Sequence, residues 1–170
     1  MHTVVQPDAA QTGPDAGDRT ARARVAVAGA TGFTGQELLR LLSRHPAVAL
    51  TAAMSSGQTA ASSRRLPALT RLWHGTVVPL SLETLSSEAD VVFLALPDSA
   101  AAELAPALVE AGVRVIDLSG AFRLRDESAR SRWYPETRTL PADVAYGLTE
   151  RERGAVARAR LVANPGCYPT

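Results

Sequence analysis

Apolar residues in this chain fall into short runs separated by stretches of helical period, and the first such unit is the sharpest. Residues 25–28 (Val-Ala-Val-Ala) form a continuous apolar run, after which Leu38, Leu41 and Leu42 recur at helical spacing. That pattern predicts a buried strand, a turn and a helix that Pro46 ends. Residues 48–54 alternate well enough for a second strand, and 77–80 suit a short edge strand, where Pro79 is tolerated. Between them, 66–74 show no clean period, and a core-facing Trp73 beside a surface His74 is the natural reading. Residues 90–97 (Asp-Val-Val-Phe-Leu-Ala-Leu-Pro) are strongly apolar, as a central parallel strand covered on both faces should be.

A helix is expected next, capped by Asp98 or Ser99, broken or kinked at Pro106 and closed by Gly112. Residues 113–118 follow as a strand, 126–133 as a helix, 146–150 as a loop leading into a short helix over 151–158, and 161–163 as the last strand. Strands alternate with helices, so the expected fold class is α/β, a doubly wound, mostly parallel sheet of the Rossmann-like type. Ligands gather at the C-terminal ends of strands in such a sheet. Three loops leave those ends: 29–35, 97–99 and 119–123.

The first loop carries the most explicit chemistry. Gly29, Gly32 and Gly35 recur every third residue between a strand and a helix, the context a phosphate-binding turn requires. The first glycine permits a sharp turn, the second lets backbone N–H groups approach a pyrophosphate, and the third allows helix and strand to pack closely. The helix then presents free N–H groups and the positive end of its dipole to the anion. Thr34 and Glu37 stand at capping-box spacing, which would fix the start of that helix.

The end of the second strand discriminates between cofactors. A carboxylate there bonds the ribose 2′-hydroxyl of NAD, whereas an NADP site avoids that charge and often supplies arginine. No Asp or Glu occurs between Glu37 and Glu83, while Arg64 and Arg65 follow Ser55 and Ser56 within one loop. NADP is therefore the expected cofactor, with at least one of these arginines on its 2′-phosphate; solvated surface arginines are the alternative. In the third loop, Ser119, Gly120 and Arg123 converge where a nicotinamide or an anionic substrate would sit, although a turn around a buried Phe122 explains the same residues.

Composition narrows the class. In 170 residues, 46% are hydrophobic, enough for one soluble domain with a real core, and a net charge of +1 gives no reason to expect a nucleic-acid partner. No apolar run approaches membrane-spanning length, and residues 1–22, rich in Ala, Asp, Gly and Pro, read as a disordered extension rather than a signal peptide. The single cysteine, Cys167, forms no internal disulfide framework and suits the cytoplasm. No metal cluster suggests itself, since the histidines His2, His45 and His74 are scattered. Cys167 follows the last strand and a Pro-Gly turn. A helix beginning there would favour a nucleophilic thiolate, and a small buried hydrophobe is the other reading.

Taken together, five segments resemble N-acetyl-γ-glutamyl-phosphate reductases: Gly-Ala-Thr-Gly-Phe-Thr-Gly-Gln-Glu-Leu-Leu-Arg (29–40), Phe-Leu-Ala-Leu-Pro (93–97), Ile-Asp-Leu-Ser-Gly-Ala-Phe-Arg-Leu (116–124), Tyr-Gly-Leu (146–148) and Asn-Pro-Gly-Cys-Tyr-Pro-Thr (164–170). They run in family order, and the last is the most specific. The resemblance implies NADPH-dependent reduction of N-acetyl-γ-glutamyl phosphate to N-acetylglutamate 5-semialdehyde, with release of phosphate. Cys167 would be the nucleophile, forming an acyl-enzyme that hydride converts to a thiohemiacetal. Cofactor contacts would come from Gly29, Thr31, Gly32, Phe33, Thr34, Gly35, Ser55, Ser56, Arg64, Leu96, Pro97, Ser119 and Gly120, and substrate contacts from Arg123 and Asn164.

The resemblance also implies that 23–163 is the NADP-binding domain, that 164–170 opens a second, catalytic domain, and that the complete enzyme is a homo-oligomer. Two features depart from the family pattern: Asp98 stands where the family usually has His, and the family's catalytic histidine lies beyond Thr170. This chain alone is accordingly expected to bind NADP weakly and to be inactive. Its total lack of lysine excludes the Tyr-x-x-x-Lys pair of short-chain reductases. A reductase of a related acyl phosphate, aspartyl or aminoadipyl, whose family motif around the cysteine differs, and a noncatalytic NADP-binding module are the alternatives.

Overall fold

A computed structural model describes residues 22–55 and 65–168. Ser56, Arg64, the extension up to residue 21 and the last two residues lie outside the described residues. The described elements are β1 (Ala23–Ala28), α1 (Phe33–Leu42), β2 (Val48–Ser55), a 3₁₀ turn (Pro67–Leu69), β3 (Val78–Pro79), α2 (Leu82–Glu88), β4 (Val91–Leu94), α3 (Asp98–Glu110), β5 (Arg114–Asp117), α4 (Glu127–Trp133), β6 (Ala145–Tyr146), α5 (Thr149–Arg158) and β7 (Leu161–Ala163).

The strands form one sheet in the order β3-β2-β1-β4-β5-β7-β6, with every pairing parallel. Parallel neighbours need a crossover, and covering both faces of the sheet is what makes its central strands apolar. β4 is such a strand, paired with β1 on one side and β5 on the other. One core, with Ala26, Ala28, Val92, Leu94, Val115 and Leu161, packs α2 and α3 on one face. A second, with Val27, Leu39, Ala53, Leu69 and Val77, packs α1 on the other. Trp73 lines that second core half-buried while His74 is exposed, as its sequence position suggested. Val78 and Pro79 do form the sheet edge, where a missing N–H leaves no ladder bond broken.

Three local expectations are corrected. Gly32, not Thr34, is the N-cap of α1 and supplies no side-chain cap, so Thr34 falls inside the first turn and the capping box does not form. Glu37 instead pairs along the helix with Arg40, whose Nε donates to its Oε2 at 2.7 Å. The cap of α3 is Pro97, so neither Asp98 nor Ser99 caps it, and the helix continues through Pro106 to Glu110 because its apolar face is held against the sheet. Gly112 does end α3, at φ +87°, with Gly112 N–H bonded to Val109 O and Val113 N–H to Leu108 O.

Two elements carried too little signal for the sequence reading. α2 is only seven residues long, nucleated by Ser81, whose hydroxyl accepts the Thr84 N–H. β6 is two residues, held by pairing with β7 rather than by any pattern of its own.

Candidate functional site

The strand order reverses between β1 and β4: the chain winds outward through β2 and β3, then returns to the other side. That switch point opens a crevice at the C-terminal ends of the strands, and the glycine turn lies in it. Gly29 has φ +90°, and a Cβ built there would fall 2.1 Å from Ala95 O, so the turn passes directly against the end of β4. A Cβ on Gly35 would fall 2.1 Å from Gly29 O, which is why the first turn of α1 can lie on β1. Gly32 is different. A Cβ there would meet only Gly29 O, at 3.6 Å, among the described residues. Gly32 therefore borders open space, with the first-turn N–H groups of Phe33, Thr34 and Gly35 unused by the helix itself. This cradle fits a pyrophosphate: free donors, a helix N-terminus and no side chain in the way.

The turn is braced from beneath. Gly29 N–H and Ala30 N–H both donate to Met54 O at 2.8 Å, and Gln36 Nε2 donates to Thr31 O at 2.9 Å. The Thr31 and Ser55 hydroxyls are 3.2 Å apart and hydrogen-bonded, tying the turn to the end of β2. Ser55 is buried, so its hydroxyl serves this tie. Phe33 is 97% exposed on the rim of the crevice.

Leu96 is buried, and its side chain would lie 3.3 Å from a Cβ on Gly29, so it forms the floor between the first two loops, with Pro97 exposed beside it. The 119–123 loop is internally tied. Buried Asp117 accepts Ser119 N–H at 3.0 Å through Oδ1 and the Ser119 hydroxyl at 2.7 Å through Oδ2, and Ser119 Oγ in turn accepts Ala121 N–H at 3.1 Å. Burial pushes the Asp117 carboxyl above the ordinary range, with the Ser119 bonds and the Arg123 charge opposing that shift. Gly120 N–H donates to Asp98 Oδ1 at 2.6 Å.

Arg123 joins this loop to the one bearing the cysteine. Its Nε donates to Asn164 O and its Nη2 to Leu118 O, both at 2.8 Å. Asn164 N–H donates to Asp117 O at 2.8 Å, and Asn164 Nδ2 to Pro165 O at 3.1 Å. Cys167 is exposed, in a turn with Tyr168 beyond β7, so it is not a buried structural cysteine. The structure thus brings Ser119 and Asn164, both bonded to Asp117, together with Arg123, bonded to Asn164, and Gly120, bonded to Asp98, at the ends of β4, β5 and β7, while Leu96 packs against the glycine turn. Thr31, Gly32, Phe33 and Ser55 surround the neighbouring glycine turn. Asp117 was not singled out in the sequence, and Asp98 was noted only as a cap candidate and for standing where the family usually has His; the signal was present, since one is a carboxylate ending an apolar strand and the other opens the helix after one.

Among the described residues, no group of three or more His, Cys, Asp or Glu side chains is placed to hold a metal ion. No described helix is long and apolar enough to cross a membrane.

A parallel sheet with its glycine turn at the switch point defines a nicotinamide-dinucleotide-binding α/β domain. Residues 24–159 match the model of the semialdehyde dehydrogenase NAD-binding domain, and the chain belongs to that family. It is 46% identical over 151 residues to an N-acetyl-gamma-glutamyl-phosphate reductase of Neisseria meningitidis serogroup C (strain 053442), covering 86% of this chain and 43% of the relative. The Bacillus subtilis (strain 168) reductase is 39% identical, at 86% and 44% coverage. The chain thus spans less than half the length of the curated relatives it matches. Among solved structures, aspartate semialdehyde dehydrogenase II of Vibrio cholerae superposes with a TM-score of 0.62 at 24% identity, covering 86% of this chain and 42% of that one. The aspartate semialdehyde dehydrogenase of Candida albicans, solved with NADP, gives a TM-score of 0.52 at 27% identity, covering 63% and 32%.

Proposed function

We propose that this chain is the NADPH-binding portion of an N-acetyl-γ-glutamyl-phosphate reductase, and that residues 164–170 begin the part of the enzyme that carries the chemistry. The observation that carries this reading is the identity to reductases of that name, together with Asn-Pro-Gly-Cys-Tyr leaving the same sheet edge as the glycine turn. Gly32 and the first turn of α1 take the pyrophosphate, and Thr31, Phe33 and Thr34 border it. The carboxylate-free stretch from residue 38 to 82 and the adjacent arginines support NADPH over NADH. Leu96, Pro97, Ser119 and Gly120 wall the nicotinamide end.

Cys167 attacks the acyl carbon of the substrate as thiolate; the new carbon–sulfur bond replaces the carbon–oxygen bond to phosphate, which leaves. A thiolate suits this step because it attacks acyl carbon well and later departs readily. NADPH, when bound, supplies the hydride that brings the thioester to the aldehyde level. Arg123 keeps donors beyond the two bonds it makes to backbone, and these and the Asn164 side chain receive the substrate's anionic groups.

The test is a chimera in which this chain is continued by the segment following the corresponding cysteine of the Neisseria reductase. The chimera should consume NADPH in the presence of N-acetyl-γ-glutamyl phosphate and use NADH at least tenfold less well. Cys167→Ser should lower kcat by roughly 10³ or more, the scale of removing a nucleophile. The 170-residue chain alone should bind NADPH without turnover. A folded, NADPH-binding chimera that reduces aspartyl phosphate instead, or steady turnover by the chain alone, would overturn the assignment.

A further inference from the structure

Asp98 opens α3 without capping it, and its carboxylate turns away from its own helix to accept Gly120 N–H at 2.6 Å. That bond spans 22 residues and joins two of the three loops at the C-terminal edge of the sheet, one from β4 and one from β5. It is short for an N–H···O bond, and bonds to an ionised acceptor are shorter than neutral ones. Gly120 is pressed from another side by Tyr134, whose ring would lie 2.2 Å from a Cβ on the glycine. The peptide at Gly120 is therefore clamped between an aromatic ring and a carboxylate. Asp98 is half-buried and stays on the rim of the crevice, so its second oxygen has no bond to any described residue.

We propose that Asp98 is a positioning residue for the nicotinamide half of the cofactor: by holding Gly120 N–H, it sets the height of the 119–123 loop above the ends of β4 and β5. This rests on the dinucleotide reading above and adds a role for a residue outside the glycine turn. A dinucleotide lying across the switch point would put its adenosine half on the β1–β2 side, away from this clamp. Loss of the clamp should thus weaken the whole dinucleotide and spare its adenosine end.

The experiment titrates the 170-residue chain with NADPH and, separately, with 2′,5′-ADP, which is the adenosine end bearing the 2′-phosphate. Asp98→Ala should raise the Kd for NADPH about fivefold to tenfold and leave that for 2′,5′-ADP within twofold. Asp98→Asn keeps a carbonyl oxygen to accept Gly120 N–H, so it should restore NADPH binding to within about threefold of wild type. Asp98→Ser, too short to reach Gly120, substitutes for Asp98→Ala where circular dichroism shows the alanine variant unfolded. Equal weakening of both ligands, no weakening of either, or an asparagine variant as poor as the alanine one would overturn the proposal. Wild-type chain that binds neither ligand would sink the dinucleotide reading itself, and this role with it.

Discussion

Gly35 lies so close to Gly29 that a Cβ on it would fall 2.1 Å from the Gly29 carbonyl oxygen, whereas Gly32, between them, borders open space. Three glycines at even spacing therefore do two different jobs. Gly35→Ala forces backbone against backbone and should destabilise the domain by roughly 3 kcal/mol, in the range of severe steric substitutions. Gly29→Ala adds a positive φ to the same kind of clash and should cost at least as much, about 3 kcal/mol or more. Gly32→Ala should leave urea unfolding within about 0.5 kcal/mol of wild type while placing a methyl group in the cradle and weakening NADPH binding tenfold or more. Equal loss of stability in Gly32→Ala would show that the cradle is not open.

Arg123 bridges two carbonyl oxygens from different loops, Leu118 O and Asn164 O. Removing the guanidinium leaves both without that donor, and Arg123→Ala should cost about 1–3 kcal/mol in chemical denaturation, as for bonds made by charged groups. Arg123→Lys should recover less than half of the loss, because an ammonium does not offer the fork that spans two acceptors. Full rescue by lysine would mean that charge alone matters.

Asp117 should make stability depend on pH in a sense opposite to most carboxylates. Its folded-state pKa lies above the ordinary value of 3.8, chiefly because burial penalises the charged form. The folded chain then holds this proton more tightly than the unfolded chain. The resulting contribution to stability is complete below the ordinary value and is lost as pH rises through the folded one. Asp90, Asp126 and Glu37 shift downward through their hydrogen bonds and act in the other direction, so the comparison must be differential. Between pH 3.5 and 7, the stability of wild type relative to Asp117→Asn should fall as pH rises; a flat difference in urea unfolding would contradict the assignment.

Cys167 is exposed, so a thiol reagent should label it in the folded chain without denaturant. Because its loop is tied through Asn164 and Arg123 to the ends of β5 and β7, saturating NADPH should slow labelling at least threefold, and 2′,5′-ADP should not. Protection by both ligands alike would place the cysteine away from the nicotinamide end.

Much of the fold was legible in the chain because its signals are local. A short apolar run such as 25–28 or 91–94, bounded by turn and helix signals, reads as a buried strand, the glycine triplet between such a run and a helical pattern reads as a tight turn, and Gly112 closes α3 by a backbone geometry that other residues resist. What was misread depends on context. Thr34 and Glu37 have the spacing of a capping box, but the turn delivers the chain so that Gly32 takes the cap position. Pro106 was expected to break or kink α3, yet the helix runs unbroken through it, with Ala101, Ala105 and Leu108 on its buried face. The two-residue strand β6 exists only because β7 lies beside it.

The sequence by itself determined the alternation of strands and helices, the glycine turn between the first strand and helix, and the lone thiol after the last strand, since each is written in residues adjacent along the chain. The tertiary structure alone decided that Gly32 is the open glycine, that Asp98 holds Gly120, and that Arg123 reaches across 41 residues to Asn164. Those relationships are distances between strand ends, and the order in which the strands pair is fixed by the packing of whole helices on both faces of the sheet rather than by any short stretch of chain.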